Sequence, residues 1–242
     1  MKKVSNKGFT LVELLVVIGI LGVLMGALFP AISSAMLSAN LNTMSMQGRK
    51  LIQGIVQANI ERQGRLDPVW PQEENKQGGN STDKSEDPAQ ATSTLDFFNK
   101  LFNMEKYGDQ DWEPIVDGDL LSSLWGCGVN GMSQGKELKE ENVAWYMAQN
   151  ISDVTPDFIP VLVTRNVNIG ELNPKMKECE SDNKDKLSYI TPLRQPFTDK
   201  GFVIIRKSGA AETFKSKYRQ FNLIFKNQNF KFDEPAPKFM EF

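Results

Sequence analysis

The residues of this chain that could carry out catalysis are few. Its 242 residues include no histidine, which removes the commonest general base and the commonest metal ligand. Serine–histidine and cysteine–histidine nucleophile systems are therefore excluded. The sequence also has no nucleophile elbow, no phosphate-binding glycine loop and no zinc-ligand spacing. We therefore predict that the protein is not an enzyme and that it needs no cofactor.

An acidic stretch in the middle of the chain is the strongest candidate for metal binding. Asp109, Asp111 and Glu113 alternate along it, and such acids can bind calcium through their side-chain oxygens. The EF-hand pattern is not met, because no glycine lies at the turn position and no glutamate lies at the twelfth position. The sequence therefore favours an acidic loop in water with no metal, and a calcium site is the alternative.

Two cysteines, Cys127 and Cys179, are the remaining reactive side chains. If this part of the chain is exported, the two thiols could form a disulfide. The alternative is a pair of buried thiols, because spacing along the chain does not show whether the two Cα atoms lie within bonding distance. The sequence leaves both alternatives open.

A single acid lies inside a long apolar run. Residues 9–29 contain one ionisable side chain, that of Glu13. As a helix this run is roughly 31 Å long, which matches the hydrocarbon core of a bilayer. Carboxylates in such a helix usually have a specific partner, yet the run contains no basic residue. Lys2, Lys3 and Lys7 precede the run, which predicts that the N-terminus stays in the cytoplasm and that the rest of the chain lies outside.

A cut in the chain just before the apolar run would supply a partner for this acid. Cleavage between Gly8 and Phe9 would create an α-amino group on Phe9. That cation would lie four residues from Glu13, on the same face of the helix. The carboxylate could instead pair with the Phe9 amine of a neighbouring subunit, which would set the register of one helix against the next.

The residues around this acid also match a known pattern. Residues 7–15, KGFTLVELL, resemble the cleavage and methylation motif of type IV prepilins and type II secretion pseudopilins. The resemblance implies that a prepilin peptidase cuts after Gly8, that Phe9 is N-methylated and that Glu13 contacts the amine of a neighbouring subunit during assembly. Pro30 lies where many of these proteins have a helix-bending proline. The implied partners are the peptidase, other pilin or pseudopilin subunits and the inner-membrane assembly machinery.

The expected organisation has three parts. Residues 1–8 are a leader peptide, residues 9–63 form one long helix, and its half 9–29 crosses a bacterial inner membrane once. Residues 64–242 form a globular head, with a mobile polar loop at residues 72–90. We expect the head in the periplasm or outside the cell, and the protein in a filament after assembly.

The second half of the long helix has an apolar stripe for packing against the head. Its members follow i, i+1, i+4 and i+5 spacing, which is typical of one face of a helix. They are Leu51, Ile52, Ile55, Val56, Asn59 and Ile60.

The predicted fold is α+β, with the long N-terminal helix packed on a small antiparallel sheet. A further helix is predicted to begin near Ser93, with Ser93 and Asp96 as a capping pair, and to end at Gly108. Strands are predicted at Val143–Ala148, Phe158–Thr164, Phe202–Arg206, Ala211–Phe214 and Phe221–Phe225. The third and fourth of these strands are predicted to form a hairpin.

Short motifs in the head support a second, fainter resemblance. They are TST at 92–94 with FF at 97–98, NVAW at 142–145 and LVTRN at 162–166. In this order they resemble large pilin-like proteins of planctomycete- and verrucomicrobial-type bacteria.

The charge distribution argues against a nucleic-acid partner. The formal net charge is -2, and the basic residues are spread among acids, whereas a DNA-binding face is usually a basic cluster. The resemblance of residues 7–15 to prepilins and pseudopilins implies a structural subunit of a type II secretion or type IV pilus filament. The alternative is a filament-displayed or membrane-anchored binding module, whose head recognises a substrate or a surface.

Overall fold

A computed structural model describes residues 10–63, 69–73, 87–127, 129, 131, 138–152 and 154–242. Gly8, Phe9 and residues 74–86 of the predicted polar loop lie outside this set. The chain divides into two compact units, Met1–Asn40 and Leu41–Phe242.

The described part of the chain contains four α-helices and seven strands. In order they are α1 (Leu11–Gln63), α2 (Thr94–Leu101), β1 (Trp145–Gln149), β2 (Pro160–Thr164), α3 (Ile169–Lys177), β3 (Glu178–Cys179), β4 (Gly201–Arg206), β5 (Ala211–Lys215), α4 (Phe221–Ile224), β6 (Phe230–Lys231) and β7 (Lys238–Phe239). The long N-terminal helix and the small antiparallel sheet that follow from the sequence are therefore confirmed.

In the first unit, α1 is apolar and its large side chains are exposed. Leu11, Val23 and Phe29 are among them. The helix is long and apolar enough to cross a membrane. It continues through Pro30, although this residue lacks the N–H that the helical hydrogen-bond pattern needs.

In the second unit, α1 buries one face. The predicted residues Leu51, Ile52, Ile55 and Asn59 are buried, but the side chain of Ile60 is 59% exposed. Nine residues at about 100° each place Ile60 on the opposite side of the helix from Leu51, so the predicted stripe was drawn one residue too wide. The buried face also extends towards the N-terminus, where it includes Leu41, Met44 and Gly48.

The main sheet has five strands in the order β5-β4-β2-β1-β7, and every neighbouring pair is antiparallel. Its centre is fully buried, because all residues of β2 and β4 are buried. Continuous apolar runs such as FVII in β4 are typical of strands that are covered on both faces. A separate pair, β3 with β6, is also antiparallel.

The predicted hairpin is present as β4 and β5. Gly201 pairs with Lys215 at its open end, and Ile205 pairs with Ala211 near the turn. The turn contains Gly209 at a φ of +77°, a left-handed conformation that glycine adopts without steric cost. Strand β5 forms one edge of the sheet, and β7 forms the other.

One predicted strand is wrong. Residues Phe221–Phe225 were expected to be extended, but Phe221–Ile224 is the short helix α4. The burial pattern explains the difference, since Phe221, Ile224 and Phe225 are buried at i, i+3 and i+4 spacing, which fits one face of a helix and not one face of a strand.

The helix predicted from Ser93 is shorter than expected. Ser93 caps α2 by accepting a hydrogen bond from the Asp96 N–H at 3.1 Å, but the Asp96 carboxylate accepts from the Thr92 N–H and not from Ser93. The helix ends at Leu101, and Asn103, at a φ of 46°, redirects the chain into a 3-10 turn. Gly108, the expected end, has a φ of 84°.

Candidate functional site

The first turn of α1 holds the acid that the sequence singled out. Thr10 precedes the helix, and its N–H and hydroxyl donate hydrogen bonds to Glu13 Oε2 at 2.9 and 2.7 Å. The Thr10 hydroxyl oxygen in turn accepts a bond from the Glu13 N–H at 3.3 Å. This reciprocal pair is a capping box, in which each side chain satisfies a backbone N–H that the helix leaves unpaired.

The sequence contained the signal for this box, although Thr10 was not predicted to have a role. Thr10-Leu11-Val12-Glu13 fits the pattern of a capping box, in which threonine is followed three residues later by glutamate. The box fixes the carboxylate at the beginning of the helix, where the helix dipole favours negative charge. A cut after Gly8 would begin the chain at the residue that precedes Thr10 in the sequence.

One oxygen of the Glu13 carboxylate makes no hydrogen bond within the described residues. All the hydrogen bonds described above go to Oε2, and Oε1 makes none to any residue in the described part of the chain. Between Thr10 and Gly48 the sequence contains no other acid and no base. The surrounding side chains are exposed and apolar, and they include Leu14 and Leu15. The nearest basic residues before it, Lys2, Lys3 and Lys7, lie outside the described residues.

Comparison with known proteins agrees with this geometry. A family model described as the prokaryotic N-terminal methylation motif matches residues 3–29. The chain has a pilin-type N-terminus. With the long apolar helix α1, the motif fits a type IV pilin-like protein. It implies processing by a prepilin peptidase and assembly with other pilin subunits.

No curated protein and no solved structure matches the chain. The family match ends within α1, so the resemblance of the head to large pilin-like proteins still rests on its short motifs. Gly8 and Phe9 belong to the matched motif but lie outside the described residues. Their roles in this pilin-like protein remain predictions.

Further along α1, Gly48 allows the helix to pack closely on the sheet. A Cβ atom added at Gly48 would lie 2.6 Å from Ile205 Cγ1 and 2.6 Å from Trp145 Cη2. Both neighbours are fully buried, and Trp145 is fixed by a 2.9 Å hydrogen bond from its Nε1 to the Ser123 carbonyl. The sequence analysis did not single out Gly48, because its contact depends on tertiary structure.

The structure does not bring together the three acids that were the candidate calcium ligands. Asp109, Asp111 and Glu113 are exposed. Within the described residues, no group of three or more acidic, cysteine or histidine side chains is placed to hold a metal ion. The calcium alternative therefore has no geometric support.

The two cysteines are not joined in the structure. Cys127 and Cys179, both among the described residues, are thiols and not halves of a disulfide. Burial raises the pKa of each thiol. Because the thiolate is the reactive form, a raised pKa makes these side chains poor nucleophiles.

Proposed function

We propose that this protein is a structural subunit of a type II secretion pseudopilus or a type IV pilus. The precursor inserts once into the inner membrane with its head in the periplasm. A prepilin peptidase cuts after Gly8, and Phe9 is then N-methylated. The inner-membrane machinery assembles the processed subunits through their N-terminal helices.

The observation that carries this proposal is the placement of the Glu13 carboxylate. It lies alone in an apolar helix, Thr10 holds one of its oxygens, and the other oxygen makes no hydrogen bond within the described residues. The amine of a neighbouring subunit's Phe9 is a cation of suitable size for that second oxygen. In an apolar environment a charge-assisted hydrogen bond of this kind is strong, so it would align each incoming subunit.

Substitutions at Glu13 test this role. We expect Glu13→Ala to lower the fraction of protein recovered in filaments by about tenfold or more, because the neighbour's amine would lose its only charged partner in an apolar place. Filaments would be sheared from cells, collected by centrifugation and measured by immunoblot against the total protein.

Glu13→Gln is the matched control, because it keeps the shape and hydrogen-bonding capacity of the side chain and removes the charge. We expect it to assemble poorly as well, since the proposed contact is an ion pair. If Glu13→Ala assembles as well as the unaltered protein, the proposed role of this carboxylate is wrong. If only Glu13→Gln assembles normally, hydrogen bonding and not charge aligns the subunits.

A further inference from the structure

One edge of the head is strongly basic. Residues 213–232 contain five lysines and arginines and no acid. Two of these lysines form ion pairs, Lys226 with Glu212 and Lys231 with Glu178. The other three are Lys215, Lys217 and Arg219, which we call the basic edge. Within the described part of the chain these three make no ion pair.

The basic edge lies beside β5, at the border of the main sheet. Lys215 is the last residue of that strand, and Lys215 and Lys217 are exposed. The Lys217 ammonium lies 4.6 Å from the centre of the Tyr218 ring, and the Arg219 guanidinium lies 5.3 Å from the centre of the Tyr189 ring. The rings keep these cations on the surface without neutralising them.

The groups around the basic edge are mixed in charge. Lys200 lies next to it, because the Lys200 carbonyl accepts a 3.0 Å hydrogen bond from the Ser216 N–H. Asp185 and Asp199 are the acids nearby. Asp185 is tied to Phe221 by a backbone hydrogen bond of 3.0 Å, and Asp199 precedes Lys200. Lys186 also lies beside the edge, because it pairs with Gln220 in a β-bridge, so cations outnumber these two acids.

A second surface of the head has the opposite charge. Residues 105–119 contain six acids and one lysine, and we call them the acidic segment. All six acidic side chains are exposed. The segment is tied to α2, because the Ile115 N–H donates to the Leu101 carbonyl at 3.0 Å and Trp112 Nε1 donates to the Phe102 carbonyl at 2.8 Å.

The two surfaces are tied to different parts of the head. Helix α2 is fixed at the β7 edge, where Thr94 donates hydrogen bonds to the Glu241 carbonyl at 2.7 Å and to the Met240 carbonyl at 2.8 Å. The basic edge lies at β5. Four strand spacings separate β5 from β7, a distance of about 19 Å. Within the described residues of one chain, no ion pair joins the basic edge to the acidic segment.

We propose that the basic edge of one copy docks on the acidic segment of a second copy. Such a contact is heterologous, since each copy uses two different surfaces, and it can repeat along an assembly without closing. The inference rests on the proposed function, because subunits anchored side by side in a membrane, and then in a filament, bring successive heads together. It adds the charged residues of the head to a contact that otherwise involves only the helices.

A second copy fits the basic edge better than a nucleic acid does. The chain is net negative, so a long polyanion would be repelled by the surfaces beyond the edge. The acidic segment offers an exposed surface of opposite sign on every copy. Complementary charge of this kind increases the rate of encounter and fixes the register of the partners.

Zero-length cross-linking tests the contact on the full chain. Protein grown in light nitrogen and protein grown in heavy nitrogen would be mixed in detergent and reconstituted together in vesicles. A carbodiimide then joins amines to carboxylates that are in contact. We expect peptides in which Lys215 or Lys217 of one isotope is linked to Asp111, Glu113 or Asp119 of the other. The absence of any such mixed peptide would overturn the proposal.

Charge-reversed variants sharpen this test. One variant combines Lys215→Glu, Lys217→Glu and Arg219→Glu. It leaves no amine at the basic edge, so the quantity measured is the total yield of covalent dimer. We expect that yield to fall by about tenfold, because the edge then offers no amine and like charges face one another, and the variant that restores both decides whether docking is involved. Adding Asp111→Lys, Glu113→Lys and Asp119→Lys restores opposite charges and amines, and the yield should return to within about twofold. Lys139→Glu, an exposed lysine outside both surfaces, should leave the yield unchanged.

The outcomes separate this proposal from the proposed function. If filaments form and Glu13→Ala prevents them, but the charge reversals change nothing, the head contact is wrong and the function stands. If mixed peptides form although Glu13→Ala has no effect on assembly, the head contact stands without the filament mechanism. If the unaltered chain binds a single-stranded DNA oligonucleotide through the basic edge and gives no mixed peptide, a polyanion is the partner and the proposal is overturned.

Discussion

Thr10 and Glu13 show how two side chains can prepare a helix for assembly. The capping box completes the first turn of α1 and fixes one carboxylate oxygen, while the other makes no hydrogen bond within the described residues. A carboxylate that is held in place loses less conformational entropy when a second donor arrives. The threonine therefore has a positioning role in the proposed contact, and the glutamate supplies the charge.

Replacing Thr10 should separate positioning from charge. Thr10→Val keeps the branched shape and removes the hydroxyl, so Glu13 loses the 2.7 Å bond and its own N–H loses an acceptor. We expect assembly to fall to a level between that of Glu13→Ala and that of the unaltered protein. Thr10→Ser keeps both bonds and should assemble normally. Equal assembly of Thr10→Val and Thr10→Ser would show that the box is not needed.

At the scale of the elements, α1 and the sheet meet at a point that has no room for a side chain. Gly48 lies against Trp145 and Ile205, and a Cβ atom there would be 2.6 Å from each. Gly54 in the same helix differs, because its Cβ would meet Leu120 Cδ1 at 2.3 Å and the rest of that flexible side chain only at 3.8 Å.

These two glycines make a matched pair for a stability test. Alanine at either position gains about 1 kcal/mol of helix propensity. At Gly48 we expect overpacking against fully buried side chains to cost about 1–3 kcal/mol, so Gly48→Ala should lower the free energy of unfolding. Gly54→Ala should leave it unchanged or raise it, because Leu120 can move aside. Thermal unfolding of the full chain in detergent, followed by tryptophan fluorescence, would show whether the two variants differ in this order.

An element could be predicted from sequence when the residues that determine it are close together in the chain. The β4–β5 hairpin was predictable from its apolar run and its glycine turn. The helix α4 was mistaken for a strand because a short aromatic run fits either period, and only burial at Phe221, Ile224 and Phe225 decides between them. Helix α3 was missed, since Pro174 lies inside it and interior prolines usually argue against a helix.

The same distinction applies to the candidate site. Glu13 could be found from sequence because an acid in an apolar run is rare wherever it occurs. The capping box was also local and was overlooked. Gly48 could not be found, because its importance comes from Trp145 and Ile205, which are about 100 and 150 residues away in the chain. The two-residue strands β3, β6 and β7 likewise depend on long-range pairing.

At the scale of the whole molecule, the head combines a buried sheet with an ion pair between buried Arg206 and half-buried Glu212. Arg206 is fully buried and donates to the Phe158 and Ile224 carbonyls and to the Glu212 carboxylate. Burial by itself raises the pKa of Glu212, but hydrogen bonds and charges from Arg206 and Lys226 outweigh it. The pKa of Glu212 in the folded state is therefore below its ordinary value of 4.5.

This lowered pKa makes the free energy of unfolding of the head depend on pH. Because the folded-state pKa lies below the unfolded-state value, the contribution of Glu212 is fully present above about pH 4.5 and is lost as the pH falls through the folded-state pKa. We expect Glu212→Gln to lower the free energy of unfolding by about 1.5–3 kcal/mol at pH 7. The difference from the unaltered protein should shrink below pH 4.5 in thermal unfolding measured across pH. A difference that stays constant would contradict the proposed ion pair.

The identity of the first residue of the mature protein tests the central claim most directly. The protein would be extracted from the membranes of its own cells and its N-terminal peptide sequenced by mass spectrometry. The account predicts that this peptide begins with N-methylated Phe9, and that replacing Gly8 with a bulky residue leaves the precursor uncut. A native product that still begins at Met1 would contradict it, because the cation proposed for Glu13 would then not exist.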